Sequence, residues 1–312
     1  MTDTKIKTIF IGTPDFGIPL LMSLINNDNF DIAGVITQPD KKVGRQQAIA
    51  ETPIKKVAAS YGLPVWQPKK IRDFINDIQN IQPDLIVVVA YAQILPKTVL
   101  EIPKYGCINI HGSLLPKYRG ASCIQADILN GDRETGITIM QMDEGLDTGP
   151  IIAQEKIEIE PTDTGEKIFN KLSGLAGKVA MSTILDYIHG KIELKAQDSS
   201  QASLTKLLEK NDGQINWQKS ATDIEKLVRA MYSWPGAFTF FQNKVLKIIS
   251  TDQKILDINK YKIGEVFTVD NNIAIQCGRG ALILKTVKLE GKNETNVIDF
   301  ARGRKDFIGS IL

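Results

Sequence analysis

The stretch DLIVVVAYAQILP, residues 84–96, decides the fold class, because its opening apolar run is too continuous to leave one side facing water. A strand of that kind is buried on both faces, which is typical of a mainly parallel sheet with helices on either side. Five other stretches are also predicted as strands: KTIFIG (7–12), IAGVIT (32–37), LPVWQP (63–68), CINIHG (107–112) and ITIMQMD (137–143).

Helical patterns alternate with these strands. They stop at or near Gly, Asn or Pro, and they comprise IPLLMSLINN (18–27), PIKKVAASYG (53–62), IRDFINDIQNI (71–81) and GASCIQADILNG (120–131). The alternation predicts right-handed βαβ crossovers, and hence an α/β domain with a mainly parallel sheet. Ligands on such sheets bind beyond the carboxyl ends of the strands.

The chain changes character after a long helical pattern that runs from Thr164 to about His189. The following stretch, KAQDSSQASLTKLLEKNDGQ, lacks periodic apolar residues and is the candidate linker. The sequence therefore predicts three parts: a first domain over residues 1–190, a linker over 191–205 and a second domain over 206–312.

The second predicted domain combines short strand patterns with a basic charge balance. After one helix, ATDIEKLVRAMYSW, come AFTFF (237–241), KVLKIIS (244–250), IGEVFTV (263–269), IAIQCG (273–278) and ALILKTVKL (281–289). Residues 205–312 contain 17 Lys and Arg against 12 Asp and Glu, net +5, whereas residues 1–204 contain 21 against 24, net −3. A small basic β-barrel is typical of a domain that binds nucleic acid, although lysines kept for solubility explain the charge equally well.

Composition limits the class of protein. A length of 312 residues, with 43% hydrophobic and 24% charged residues, is typical of a globular protein of two domains. No apolar run reaches the ~20 residues that span a bilayer, and the start MTDTKIKTIFIG has no cleavage-site pattern, so a cytoplasmic location is expected. The scattered cysteines and the two histidines lack metal-ligand spacing, so no metal is expected: Cys107, Cys123, Cys277, His111 and His189.

The glycine-bearing turn GTPDFG (12–17) follows the first predicted strand and opens a helix. It matches neither G-x-G-x-x-G nor a phosphate loop ending in G-K-[ST], which weakens the dinucleotide oxidoreductase and NTPase interpretations. A tight turn with Thr13 or Asp15 capping the next helix is favoured, while a substrate loop stays open as an alternative.

An amide and an imidazole lie near the end of the apolar strand CINIHG (107–112). Asn109 and His111 are two residues apart, so their side chains point to one face, and Gly112 ends the strand. A lone histidine on an apolar strand is most often a satisfied core residue. The shared face and the turn-rich loop SLLPKYRG (113–120) favour a site in the crevice instead.

The acidic loop MDEGLDTG (142–149) supplies the third polar group. A solvated loop explains Glu144, but it explains Asp147 less well, since the flanking glycines permit close backbone approach. An Asn, a His and an Asp without an evident nucleophile elbow around Ser113 indicate acyl transfer to a nucleophile on the substrate. Asn109 is then an oxyanion donor, and Asp147 orients His111 and raises its pKa.

Two of these stretches, INIHGSLLPKYRGA (108–121) and ITIMQMDEGLDTGPI (137–151), resemble the folate-dependent formyltransferases, whose Asn, His and Asp fall at Asn109, His111 and Asp147. The resemblance extends over nearly the whole chain to members that act on charged tRNA. It rests further on FIGTPDFG (10–17), VITQPDKKVGR (35–45), VVVAYAQILP (87–96), INW (215–217) and RAMYSWPGAF (229–238).

The resemblance implies a Rossmann-like first domain and an OB-like second domain. It also implies transfer of a formyl group from 10-formyltetrahydrofolate to the α-amine of methionyl initiator tRNA, which gives N-formylmethionyl-tRNA for translation initiation. Asn109 and His111 would hold the tetrahedral oxyanion, and Asp147 would relay a proton with His111. Neither a metal nor an obligate protein partner is implied.

Further residues are carried over from matching family positions. The formyl-folate site would take Ser113, Leu114, Leu115, Pro116, Ile94, Leu95 and Asp143. The acceptor end of the tRNA would meet Lys41, Lys42, Arg45 and Arg119. Gln46 and Gln47 stand where the family more often has basic or small residues, which lowers the expected charge of that loop. Core packing, plain loop flexibility and a surface ion pair at Arg119 are the structural alternatives.

Three other functions fit the same residues. The same transfer to a nucleotide-linked amino sugar or a purine-pathway amine needs no basic second domain. A hydrolase that releases formate from the folate would turn over without an amine. A non-catalytic RNA-binding protein with a decayed folate site would bind tRNA in a salt-sensitive way without turnover.

Overall fold

The computed structural model describes residues 5–43 and 48–312. By its internal contacts the chain divides into two compact units. The first comprises Met1–Cys123, Thr135–Ile157 and Phe169–Thr205, and the second comprises Ile124–Glu134, Glu158–Ile168 and Lys206–Leu312. The chain passes from one unit to the other more than once. The predicted boundaries of domains and linker stay a prediction.

The described part of the first 205 residues contains eleven strands and six α-helices. The strands are β1 (Ile6–Gly12), β2 (Phe30–Ile36), β3 (Lys41–Val43), β4 (Ala48–Ala50), β5 (Val65–Trp66), β6 (Leu85–Val89), β7 (Cys107–His111), β8 (Arg119–Gly120), β9 (Glu134–Gln141), β10 (Ile151–Glu158) and β11 (Leu204–Thr205). The helices are α1 (Ile18–Ile25), α2 (Pro53–Ser60), α3 (Ile75–Ile81), α4 (Lys97–Leu100), α5 (Cys123–Asn130) and α6 (Gly165–Ile188). Short 3-10 turns lie at Asp15–Gly17, Ile71–Phe74 and Ser199–Gln201.

Seven strands form the central sheet in the order β10-β9-β7-β6-β1-β2-β5. Five neighbouring strands, β5, β2, β1, β6 and β7, run parallel, and β9 pairs antiparallel with β7. The predicted mainly parallel α/β fold is therefore confirmed. Because the chain builds outward from β1 to β5 and then returns to place β6 on the other side of β1, the strand order reverses between β1 and β6.

Strand β6, from the stretch DLIVVVAYAQILP that indicated the fold, lies at the centre of this sheet. All five residues of β6 are buried, as expected for a strand covered on both faces. The core packed around it includes Ile9, Ile11, Ile36, Ile86, Val88, Tyr91, Leu95 and Val99. Burial of a side chain of this size stabilises the fold by about 1.5–3 kcal/mol.

The prediction that Thr13 or Asp15 caps the next helix is wrong. Neither the 3-10 turn at Asp15–Gly17 nor α1 has a side-chain cap, since Pro14 and Gly17 occupy the capping positions. Thr13 Oγ1 instead accepts a hydrogen bond of 3.4 Å from the backbone N–H of Gln38, a residue that follows β2.

The second unit is built on an antiparallel sheet. Its elements after residue 205 are α7 (Ala221–Met231), β12 (Phe238–Phe241), β13 (Lys244–Leu256), β14 (Val266–Val269), β15 (Asn272–Gln276), β16 (Ala281–Leu289), β17 (Thr295–Asn296) and α8 (Val297–Arg302), with a 3-10 turn at Lys210–Gly213. The strand order is β12-β13-β16-β15-β14, and β17 pairs with β16. No ladder joins β12 to β14 in the described residues, so the sheet is a half-barrel of the predicted small-barrel type.

The half-barrel has its own apolar core. Register irregularities between Ile248 and Ile255 let the long strand β13 bend while it pairs with both β12 and β16. The core includes Trp217, Ile224, Leu246, Ile275, Leu284, Phe300 and Phe307. In the described part of the chain, no helix combines the length and the apolar character needed to cross a membrane.

Candidate active site

Strand β7 places Asn109 and His111 on one face of the central sheet. Both lie at its carboxyl half, where Asn109 is paired with Val88 of β6 and His111 with Thr138 of β9. Their exposed fractions are only 9% and 7%, so the amide and the imidazole are largely withdrawn from water. The two-residue spacing therefore places the two side chains on the same face of the sheet, as strand geometry predicts.

Asp147 completes the group. Its Oδ1 accepts from Asn109 Nδ2 at 3.4 Å, its Oδ2 accepts from the Gly120 amide at 2.7 Å, and Oδ2 lies 3.6 Å from His111 Nδ1. The Asp147 side chain is 13% exposed. The structure thus brings together the three residues proposed for catalysis.

Asp147 reaches the site through the loop that follows β9. Strand β9 runs antiparallel to β7, so its last residue Gln141 lies beside Ile108 rather than beside His111. The loop after β9 folds back over β7. The turn is tight, since a Cβ on Gly149 would lie 1.9 Å from the Gln141 carbonyl oxygen.

Several residues around the site have left-handed backbone conformations that side chains other than glycine seldom adopt. They are Ala90 and Ala92 after β6, Tyr118 and Ser122 after β7, and Asp147 with φ of 53°. Strained conformations of this kind persist where the surroundings hold them, and they concentrate at functional sites.

The charge of His111 follows from its neighbours. Nε2 donates to the Tyr118 carbonyl oxygen at 3.0 Å, which leaves Nδ1 facing Asp147. Burial by itself lowers the pKa of His111, but the sulfur of Cys123, the Asp147 carboxylate and the Tyr118 carbonyl outweigh it and raise the pKa to about 9. The imidazole is therefore a cation at neutral pH.

The loop after β7 carries the four consecutive positions predicted for the formyl-folate site. Ser113 Oγ donates to the Lys117 carbonyl oxygen at 2.7 Å, so this hydroxyl is committed to the loop. Leu115 is buried, and its backbone is held by Thr138 Oγ1 and by the Gln154 amide. The side chains left partly accessible are those of Leu114 and Pro116.

The other three predicted folate-site residues have different surroundings. Ile94 is 77% exposed, whereas Leu95 is 2% exposed and packs in the core. Core packing therefore accounts for Leu95 but not for Ile94. Asp143 is exposed, and its Oδ1 accepts from the Gly145 amide and from Thr148 Oγ1, at 3.0 and 2.6 Å, which shapes the loop of Asp147.

The predicted tRNA-contact residues divide into two groups. Lys41 and Lys42 are exposed on β3, which pairs with β4, while Arg45 lies outside the described residues. Arg119 is only 7% exposed, and its guanidinium donates to Gln197 and Ser199. The alternative of a surface ion pair at Arg119 is therefore wrong.

Two residues at the site were missed by sequence reasoning. Cys123, the first residue of α5, donates from Sγ to the Gly112 carbonyl oxygen at 3.2 Å and interacts with His111. Gln197 lies in the stretch predicted as a linker, yet it reaches the Asp147 loop. The only signal for Cys123 was a polarisable side chain at a helix start close to the motif, and Gln197 had none. In the described ranges, no three His, Cys, Asp or Glu side chains are grouped to hold a metal ion.

Comparisons with known proteins show the family of this chain. A family model described as formyl transferase matches residues 4–184, and one described as formyl transferase, C-terminal domain, matches residues 207–305. The chain is 40% identical over 98% of its length to a protein of Lachnospira eligens named methionyl-tRNA formyltransferase, of which 99% is covered. A protein of the same name from Agathobacter rectalis is 42% identical, with 95% of this chain and 96% of that protein covered.

Similarity to a solved structure supports the fold. The N-formyltransferase of Helicobacter canadensis, solved with folinic acid and dTDP-3-aminofucose, has a TM-score of 0.67 at 20% identity, over 89% of this chain and 98% of that one. Because family models cover both parts of the chain and its relatives match it over nearly the whole of its given length, the chain belongs to the formyl transferase family, as a relative of the methionyl-tRNA formyltransferases.

Proposed function

We propose that this enzyme transfers a formyl group from 10-formyltetrahydrofolate to the α-amine of methionyl initiator tRNA, giving N-formylmethionyl-tRNA for translation initiation. The observation that carries the proposal is the convergence of Asn109, His111 and Asp147 in a chain about 40% identical to proteins of that activity along nearly its whole length. The function implies a cytoplasmic location.

The reaction requires one bond to form and one to break. The acceptor amine nitrogen bonds to the formyl carbon, the bond from that carbon to the donor nitrogen breaks, the amine loses a proton and the donor nitrogen gains one. The formyl oxygen carries negative charge in the tetrahedral intermediate. Catalysis therefore needs donors for that oxygen and a group that handles the proton.

The described side chains meet these needs. Asn109 Nδ2 is an N–H donor held within a rigid strand, and the cationic His111 stabilises nearby negative charge. The Asp147 carboxylate, which contacts both, accepts a proton from the attacking amine and passes it to the leaving nitrogen. Because the site is mostly withdrawn from water, these electrostatic interactions are stronger than at a surface.

The donor site that we propose lies beside the same strands. The exposed Ile94 and the partly exposed Leu114 and Pro116 offer apolar surface after β6 and β7. The Helicobacter canadensis neighbour was solved with a folate, which supports a folate donor on this fold. The acceptor end of the tRNA is proposed to meet Lys41, Lys42 and Arg45.

A single-turnover assay tests the proposal. The donor is 10-formyltetrahydrofolate, and the acceptors offered in parallel are methionyl initiator tRNA, uncharged tRNA and a nucleotide-linked amino sugar. Formylation of the charged tRNA alone is expected. Asn109→Ala is expected to lower the rate about 10²- to 10³-fold, the typical cost of losing one oxyanion donor.

The two histidines of the chain supply a matched control. His111→Ala is expected to lose the tRNA product, whereas His189→Ala, altered at an exposed position just after α6, keeps it. Consumption of the donor with no formylated tRNA would refute the acceptor assignment, and formylation of the amino sugar alone would replace it.

A further inference from the structure

Arg119 is a buried arginine without a carboxylate partner in the described chain. Its Nε and Nη2 donate to Gln197 Oε1 at 3.1 and 2.8 Å, and Nη2 also lies 3.4 Å from Ser199 Oγ. Withdrawing a guanidinium from water is costly unless its hydrogen bonds are replaced. One side-chain amide oxygen takes two of them here, so Gln197 is the main partner of Arg119.

The other end of Gln197 is also committed. Its Nε2 donates to the carbonyl oxygens of Asp147 and Gly149, at 2.8 and 2.7 Å. The orientation of the amide is unambiguous, because a guanidinium only donates and the two carbonyls only accept. Gln197 therefore joins a buried cation to the backbone of the catalytic loop.

The Asp147 backbone needs such support. Its φ of 53° is a conformation that costs a non-glycine residue on the order of 1–3 kcal/mol. One restraint acts on its carboxylate, through the Gly120 amide, and the other acts on its carbonyl, through Gln197. The first restraint comes from Gly120, which follows Arg119 in β8. The second comes from Gln197, which Arg119 holds through its guanidinium.

We propose that Arg119 and Gln197 form one positioning unit that fixes the loop of Asp147 and so holds its carboxylate against Asn109 and His111. The role in formyl transfer rests on the proposed function, whereas the placement of Asp147 can be tested without activity. Arg119 is then not a contact to tRNA, which revises the role expected from the sequence.

The first test is a histidine titration followed by NMR in the full chain. His111 is faced by Asp147, Cys123 and the Tyr118 carbonyl, and Asp147 helps to raise its pKa. Gln197→Ala frees the loop, so the His111 titration is expected to move to lower pH. The chain has just two histidines, so His189→Gln identifies the His111 resonance.

Gln276→Ala is the matched control. Gln276 is buried and donates to three backbone carbonyls in the half-barrel, so its loss removes the same kind of hydrogen bond at another place. It should leave the His111 titration at the wild-type pH. An unmoved His111 titration in a folded Gln197→Ala protein would overturn the proposal. If that variant does not fold, Gln197→Asn keeps a neutral amide that is too short to reach both Arg119 and the loop carbonyls, and it gives the same readout.

Kinetics separate positioning from substrate contact. Gln197→Ala and Arg119→Met are each expected to lower kcat, by up to about 10²-fold, with KM for tRNA little changed. Because the two act in series, the double variant should be no slower than the worse single one. Multiplicative losses, or a rise in KM confined to Arg119→Met, would show that Arg119 contacts the tRNA and would refute the unit. If no formyl transfer occurs even in wild type, the proposed function fails while the titration result stands.

Discussion

His111 determines the charge of the site. Its pKa is raised to about 9, against burial that lowers it, because Cys123, Asp147 and the Tyr118 carbonyl together favour the protonated ring. A raised pKa means that the cation persists through neutral pH and is lost only as the pH rises through about 9. The acceptor amine has the opposite requirement, since it attacks only when it is uncharged, above a pKa of about 7.7–8.0.

The rate of formyl transfer should therefore depend on pH in a bell shape. It rises as the amine loses its proton and falls as His111 loses its own, near pH 9. Asp147→Asn removes one of the groups that raise the pKa of His111, so the alkaline limb should move to lower pH and the maximum should fall. Single-turnover rates from pH 6 to 10 measure both limbs.

A control keeps this measurement specific. His189→Ala alters the second histidine, which lies at an exposed position, and should leave both limbs in place. An alkaline limb that stays at the same pH in Asp147→Asn would contradict the assignment of that limb to His111.

At the scale of elements, the loop between β9 and β10 depends on close backbone approach. Gly149 has no positive φ, but a Cβ there would lie 1.9 Å from the Gln141 carbonyl oxygen, which is backbone and cannot move aside alone. The loop must therefore shift to accept any side chain. Asp147 is two residues away, so a shift there displaces the carboxylate.

Gly149→Ala should consequently lower kcat by up to about 10²-fold, since a displacement near 1 Å can cost that much. Gly174→Ala is the matched control, because a Cβ at this position in α6 meets nothing within 4 Å. That helical substitution should leave kcat unchanged and stabilise the fold by about 0.5–1 kcal/mol. Thermal unfolding and single-turnover rates give both quantities, and a fully active Gly149→Ala would show that the loop tolerates displacement.

Elements with a local signal could be predicted from the sequence. The apolar run of β6 and the two-residue spacing of Asn109 and His111 each depend on strand periodicity alone. The bend of β13 could not be predicted, because KVLKIIS covers only part of a strand that continues to Leu256 through register irregularities.

The remaining site residues depend on long-range contacts. Asp147 was expected beside His111 from its glycine-flanked acidic loop and from the resemblance. Strand periodicity does not predict this contact, since β9 runs antiparallel and its end lies away from His111. Arg119 lies in a stretch whose composition is typical of a surface turn, and only tertiary contacts show that it is buried. Gln197 lies in a segment without periodicity, and its partners are 48 to 78 residues away along the chain.

At the scale of the whole molecule, charge is segregated along the chain. Residues 205–312 carry a net charge of +5 and residues 1–204 a net charge of −3. The half-barrel also presents lysines such as Lys244 and Lys254, which are exposed and form no ion pair in the described chain. The basic half-barrel can bind a polyanionic acceptor such as tRNA, whereas a small amine acceptor gives no reason for a net charge of +5.

The affinity for methionyl-tRNA should therefore fall steeply with salt. Each phosphate that the protein neutralises releases counterions and adds about 0.7–0.9 to the slope of log KM against log salt concentration. KM for the folate donor should change little, since the donor carries few charges. Lys244→Gln combined with Lys254→Gln is expected to reduce the slope for tRNA. Lys69→Gln combined with Lys70→Gln removes two exposed lysines from the first unit and should leave that slope unchanged. A slope near zero in the wild-type enzyme, or equal losses in the two double variants, would mean that the basic half-barrel has no part in holding the acceptor.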